Sequence, residues 1–236
     1  MTVRELVRGD MGATLSRRGW LSRTPSDFQQ AVLEHCVVQR RSAGEPLYYS
    51  GDEIGGMFGV IDGTVEIASG FGNPDAYIVH LAQAGFWIGE GSILIGKPRM
   101  ITAAARTDAT LAYLPLVALR GMVIATPEYW RYLGQLSVEH NNLSTSGAAD
   151  LMIRDVDRRC IAVLLRLAGC RFRINDGDAR PEVVVSQEEL AAMANLSRKS
   201  VGDVLRPLEQ AGVIELGYRS IRINLPHKLR EILAVD

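Results

Sequence analysis

The sequence predicts an α+β chain in three pieces: a jelly-roll β-barrel, one long helix, and a C-terminal winged helix-turn-helix. Three observations carry this. From about Cys36 to Pro115, short β-type runs alternate with glycine-containing breaks. From Pro127 to about Ile153, apolar residues recur at helical spacing. The stretch Val185–Leu216 then reads as two capped helices closing into a hairpin. The expected divisions are 1–30, a polar leader with short helices; 31–126, the β-roll; 127–154, the long helix; and 155–236, the C-terminal domain. A chain of 236 residues suits two modest domains better than one.

In the leader, Thr24-Pro25-Ser26-Asp27 is a helix-start signal ahead of Phe28–Leu33. The β-runs are Val37–Arg40, Pro46–Tyr49, Met57–Ile61, Val65–Ala68, Tyr77–Leu81, Phe86–Ile88, Ile101–Ala105 and Thr110–Leu114. Breaks fall at Gly44, Gly51-Asp52, Asp62-Gly63, Gly70–Asp75, Gly85, Gly96–Pro98 and Thr107-Asp108. Many short strands at even spacing point to a closed or sandwiched antiparallel structure. Asp62-Gly63, between two alternating runs, is a hairpin signal.

On the long helix, Tyr129, Leu133, Leu136, His140, Leu143 and Gly147 recur in four- and three-residue steps. That is the seam of a two-helix interface between copies of the chain, interrupted by His140 and Gly147. The same periodicity also fits a helix lying against its own β-domain. Arg154–Asp157 then reads as a hinge, and Arg158–Ala168 as an amphipathic helix opening the next domain.

Ser186 is an N-cap with Glu189 as its capping-box partner. Leu190, Ala191 and Ala194 give a short helix an apolar face. Asn195-Leu196 makes a turn, and Ser197 caps a second helix that buries Val201, Val204, Leu205 and Leu208. Arg198, Lys199, Gly202 and Asp203 are left facing outward. A helix N-terminus with exposed cations suits the major groove of double-stranded DNA, where base edges lie deep and phosphates flank them. Val213–Leu216 and Ser220–Ile223 flank Gly217-Tyr218-Arg219 as a wing. Net charge is -1, yet Arg198, Lys199, Arg206, Arg219, Arg222, Lys228 and Arg230 gather in this region. Local cations, rather than the whole-chain sum, neutralise phosphates.

These parts, in this order, resemble the Crp–Fnr family of bacterial transcription regulators. The resemblance rests on Gly51-Asp52 followed by MFGVIDGTVEIA at Met57–Ala68, and on Gly85-Phe86-Trp87-Ile88-Gly89-Glu90. It rests also on Pro98-Arg99, on DVDRRCIAVLLRLA at Asp155–Ala168, and on Leu196–Gly202. It implies a cytoplasmic homodimer that binds operator DNA, with RNA polymerase as a further partner reached through exposed loops such as Asn175–Arg180. It assigns DNA contacts to Ser186, Ser197, Arg198, Lys199, Ser200, Asp203 and Arg219, with Arg198 pairing to a guanine. Lys199 stands where the family carries an acid, and Asp203 where the cyclic-AMP receptor carries an arginine. A half-site other than TGTGA is therefore expected.

The resemblance also implies an effector site. Gly89, Glu90 and Ser92 would form a helix start facing a phosphate, with Arg99 as its counter-charge and Glu90 accepting from a ribose hydroxyl. Ser144 and Thr145 would meet the base. Met100 departs from the Ser or Ala of cyclic-AMP binders, and Gly91 from their aliphatic residue. Two readings stand: a cyclic-nucleotide-dependent activator, or a regulator with another effector or none.

Other chemistries find little to work with. Cys36, Cys160 and Cys170 are scattered and odd in number, short of the four thiolates of an iron–sulfur cluster and of any CxxC metal site. His35, His80 and His140 are isolated as haem ligands. A cupin-like metalloenzyme needs clustered histidines, and none occur; no catalytic grouping is evident. No apolar run reaches the roughly 18 residues of a membrane span. MTVRELVRGD is charged, without the apolar core of a secretory signal.

Overall fold

A computed structural model describes residues 12–69, 77–171 and 181–234. The break expected at Gly70–Asp75 and the loop Asn175–Arg180 lie outside the described residues, as does the start of the leader. The chain divides into two compact units between Asn141 and Asn142, inside the long helix.

In the first unit, helix α1 (Ser26–His35) follows the Pro25 start signal. Strands β1 (Val37–Arg41), β2 (Pro46–Tyr48), β3 (Met57–Asp62), β4 (Val65–Ser69), β5 (Tyr77–Ala82), β6 (Trp87–Ile88), β7 (Thr102–Ala105) and β8 (Ala109–Leu114) match the expected runs within a residue or two. They form two antiparallel four-stranded sheets, ordered β1-β8-β3-β6 and β2-β7-β4-β5. The β-domain is thus seen as two sheets rather than one closed ladder. Asp62-Gly63 does not close a hairpin, contrary to its sequence signal. It carries the chain from β3 in one sheet to β4 in the other, with Gly63 at φ +83. A side chain at Gly63 would meet the Asp108 carbonyl at 2.3 Å, so close backbone approach as well as φ demands glycine there.

Inward residues of both sheets, among them Phe58, Val60, Val65, Ile67, Ala103 and Leu111, form one core. A second core joins Leu15, Trp20, Leu21, Phe28, Met57, Trp87 and Leu114 to two further helices. These are α2 (Glu90–Ile95), which supplies only partly buried side chains to it, and α3 (Leu116–Ala125), which supplies Leu119, Met122 and Val123. Leu133 and Leu136, from α4 (Trp130–Met152), complete it.

The stripe expected at a dimer seam is therefore used within the protomer. Leu133 and Leu136 are 1% and 2% exposed, and Tyr129 packs against the same core. Burying each leucine stabilises this docking by about 1.5–3 kcal/mol. His140 turns to Glu90, with its Nδ1 donating to Oε1 at 2.8 Å, and stacks on Phe86. Of the two readings of the periodicity, packing on the chain's own domain accounts for these four residues.

The second unit carries the last part of α4 and continues with α5 (Val156–Leu167). Asp155 caps α5 by accepting from the Arg158 backbone N–H at 2.8 Å. Its residues Cys160–Leu167 are all buried. Asp150, 1% exposed on α4, accepts from Arg166 at 3.0 Å and Arg171 at 3.2 Å, so a single buried carboxylate holds two guanidinium groups. Gly147 lies against Arg166, and Leu143 is half-buried. Around α5 pack β9 (Glu182–Val183), α6 (Gln187–Ala194), α7 (Arg198–Gln210), β10 (Ile214–Gly217), β11 (Ser220–Ile223) and α8 (Pro226–Ala234). Strand β9 joins the wing as a third strand, ordered β10-β11-β9.

Candidate nucleic-acid interface and effector-type site

The start of α7 is built by local chemistry. Ser186 caps α6: its Oγ accepts from the Glu189 N–H at 3.2 Å, and Glu189 Oε2 accepts from the Ser186 N–H at 2.8 Å. Asn195, at φ +51, ends α6 in the left-handed region that asparagine tolerates. Ser197 then caps α7 by accepting from the Ser200 N–H at 3.0 Å, and the two hydroxyls lie 2.8 Å apart. Val201, Val204 and Leu205 anchor the inner face of α7. Arg198, Lys199 and Asp203 are consequently exposed on its first turns.

Charge pairing separates the basic residues of this region. Arg222 is bridged to Glu182 at 3.0 Å and Glu215 at 3.2 Å, Arg219 to Glu189 at 3.2 Å, and Lys228 to Glu231 at 3.7 Å. Arg206 lies 3.9 Å from Asp203. Among the described residues no carboxylate bridges Arg198 or Lys199. Arg198 and Lys199 thus stand unbridged at the N-terminus of α7, where the helix dipole adds to their charge, with Glu188 lining the adjoining groove. Beside it an open groove of about 270 Å³ is lined by Ser186, Gln187, Arg198, Gly217, Arg219 and Ser220. Sequence reasoning placed Arg222 on the DNA side without seeing Glu182. That partner stands on β9, a two-residue strand with no periodicity to announce it.

In the first unit the predicted effector residues Gly89, Glu90, Ser92 and Arg99 come together. Gly89 caps α2 at φ +114, and Glu90 and Ser92 are buried. Arg99, 5% exposed, donates from Nη1 to the Gly89 carbonyl at 2.9 Å and from Nη2 to the Gly56 carbonyl at 2.6 Å. Its guanidinium lies 4.3 Å from the centre of the Tyr48 ring. Burial pushes the Tyr48 phenol well above its ordinary range, against the opposing pull of Arg99. The Glu90 carboxylate is held by His140, a partner the sequence did not suggest. Met100 is 55% exposed, so it does not fill this space. Ser144 and Thr145 are exposed on the part of α4 belonging to the second unit.

The cysteines are core residues. Burial pushes the Cys36 and Cys160 thiols up to about 12, far from the thiolate form that binds metals. Among the described residues no helix is long and apolar enough to cross a membrane, and no cluster of metal-ligating side chains is found.

Two family models match parts of the chain. Residues 158–232 match the Crp-like helix-turn-helix domain, and residues 38–125 the cyclic nucleotide-binding domain. The chain is 25% identical to the cAMP-activated global transcriptional regulator CRP of Haemophilus influenzae, over 92% of this chain and 96% of that one. It is 27% identical to the CRP-like cAMP-activated global transcriptional regulator of Mycobacterium tuberculosis, over 87% and 86% of the two chains. Its fold matches that of a CRP/FNR-family transcriptional regulator from Thermus thermophilus. That match has a TM-score of 0.62 at 24% identity, covering 84% of this chain and 99% of that one.

Proposed function

The chain belongs to the Crp–Fnr family and is a sequence-specific DNA-binding transcription regulator; on that premise we propose that it reads an operator as a homodimer. The observation that carries the reading is the start of α7, where a Ser197 cap leaves Arg198 and Lys199 exposed and unbridged. Arg198 pairs bidentately with a guanine, Lys199 donates to a base or phosphate, and Asp203 accepts from a cytosine amino group. Ser186, Ser197, Ser200 and Arg219 contact phosphates and set the register. Residues 31–126 act as an effector-type jelly roll, 127–154 as the dimer helix and 155–236 as the DNA-binding domain. Because Leu133 and Leu136 pack inward, the two copies meet through the outer face of α4. There Trp130, Val138, Thr145 and Met152 recur in steps near seven residues, and all are exposed. Work on DNA places the protein in the cytoplasm, with RNA polymerase as the partner that converts occupancy into transcription.

Selection from random duplexes tests this. The expected product is an inverted repeat with half-sites about one helical turn apart, roughly 34 Å, other than TGTGA. A single unrepeated half-site would overturn the dimer, and TGTGA half-sites the assigned roles of Lys199 and Asp203.

For the effector we propose a small anionic ligand seated at Arg99 and Glu90, with a cyclic nucleotide as the first candidate. Two relatives named as cAMP-activated support it. Both Arg99 Nη groups already donate to backbone, so the ligand must replace those bonds or use the buried Nε, which has no hydrogen-bond partner among the described residues. Calorimetry with cyclic AMP and cyclic GMP separates the readings. Micromolar binding establishes a nucleotide-gated regulator; no heat with either moves the search to an unrelated effector, or to a regulator that needs none, and leaves the DNA reading intact.

A further inference from the structure

Two adjacent arginines open α5, and both direct their donors at the ends of other helices. Arg158 and Arg159 are each half-buried. Arg158 donates from Nη2 to the Leu233 carbonyl, in the last turn of α8, at 2.9 Å. Arg159 donates from Nη1 to the Ile153 carbonyl at 2.7 Å and from Nε to the Ala194 carbonyl at 3.0 Å. Ile153 directly follows the last residue of α4, and Ala194 is the last residue of α6. Carbonyls at a helix C-terminus lack a donor within their own helix and carry the negative end of its dipole, so a guanidinium suits them.

The two arginines stand on different routes through the domain. Arg158 fastens the C-terminal helix. Arg159 lies between the long helix and Arg198. Its bond to Ile153 spans Arg154–Asp157, the stretch read from sequence as a hinge. Asp150 already holds α4 to α5 through Arg166 and Arg171, and Arg159 carries the connection on to α6. Beyond Ala194, only Asn195, Leu196 and Ser197 precede α7; Asn195 is at φ +51, and Ser197 caps the helix. Val201, Val204 and Leu205 hold the inner face of α7, while Arg159 fixes the point at which the chain enters it.

We infer that Arg159 is a positioning residue for DNA reading. It touches no DNA itself. By joining the end of the long helix to the turn before α7, it fixes where each recognition helix starts, and so the half-site spacing that the protein accepts. The inference rests on the operator-reading homodimer proposed above.

The test titrates the full-length chain with the operator recovered by selection, and with versions in which one base pair is added or removed between the half-sites. The wild type is expected to disfavour the altered spacings about tenfold, as much as a mismatched base pair costs. R159A is expected to bind all of them within about twofold of one another and to weaken the best about fivefold, the lower end of couplings between sites. R159K keeps the charge without the planar fork and should retain part of the preference; if R159A does not fold, R159K decides on the same criterion. R158A removes a like bond from the same turn and should lose stability while keeping the wild-type spacing preference. A wild type indifferent to spacing, or R159A and R159K with the wild-type preference, overturns the positioning role. An equal loss of preference in R158A overturns it too, as general loosening of the domain. A salt slope shallower by about one in R159A would reveal a phosphate contact and overturn it as well. A wild-type chain for which selection recovers no paired half-sites overturns the dimeric reading, and this inference with it.

Discussion

Arg99 and Arg198 are both arginines at sites expected to meet phosphate-bearing ligands, and the fold treats them oppositely. Arg99 is buried, with two nitrogens committed to the Gly56 and Gly89 carbonyls and a tyrosine face against it. Arg198 is exposed at a capped helix start, with its basic neighbours further along largely neutralised by carboxylates. The first side chain is committed to the β-domain through both of its terminal nitrogens. The second contributes nothing visible to packing and is presented for a partner. A matching arginine in a motif therefore does not by itself define a binding site; what its donors already satisfy decides how much is left for a ligand.

Arg99→Leu should have the largest effect on this contrast. It keeps an apolar body but leaves the Gly56 and Gly89 carbonyls buried without their donor. The cost to the first unit should be about 2–6 kcal/mol, one to three for each orphaned acceptor. Urea denaturation followed by the fluorescence of buried Trp20 and Trp87 would register it as an earlier transition. Retention of wild-type stability would show that Arg99 is held for a ligand rather than for the fold.

Arg198→Ala should produce the opposite pattern. Stability should move by no more than about 0.5 kcal/mol, as for an exposed residue without partners. Operator affinity should fall by about 1–3 kcal/mol, with discrimination relaxed at one base pair. Titration of the selected operator and of its single-base variants would show both. A uniform loss across all variants would reduce Arg198 to a phosphate contact.

Legibility from sequence follows the same division. Secondary structure set by local signals was readable: the eight short strands, the Ser186 capping box and the Ser197 cap are all present. What escaped depends on partners distant in sequence. The spacing of Tyr129, Leu133 and Leu136 is the same for a dimer seam as for docking on a β-domain, and only the position of Trp20 and Phe28 decides between them. Asp62-Gly63 has the composition of a hairpin turn, but the strands on either side pair elsewhere. Helix α3 escaped notice because Leu116–Ala125 is apolar almost throughout and shows little amphipathic period. His140 against Glu90, fifty positions away, left no local trace.

The smallest expected effect concerns Arg222, basic by sequence and clamped by structure. The Glu182 carboxylate accepts from Ser220 and Arg222, and these hydrogen bonds hold its pKa below the ordinary glutamate value. A depressed folded-state pKa contributes stability that is present above the unfolded value, about 4.3, and lost as pH falls through the lower folded value. Glu182→Gln should therefore lower stability slightly at neutral pH and flatten the acid side of the melting-temperature profile. Because Glu182 is largely exposed, both changes should be modest and should shrink with added salt. The same variant loosens Arg222 from one of its two acids. If Arg222 belongs to the wing's own architecture, as its pairing indicates, the salt slope of operator binding should not change. A slope steeper by about one would instead show Arg222 released onto a phosphate, and would move it from the group held by the fold to the group held for DNA.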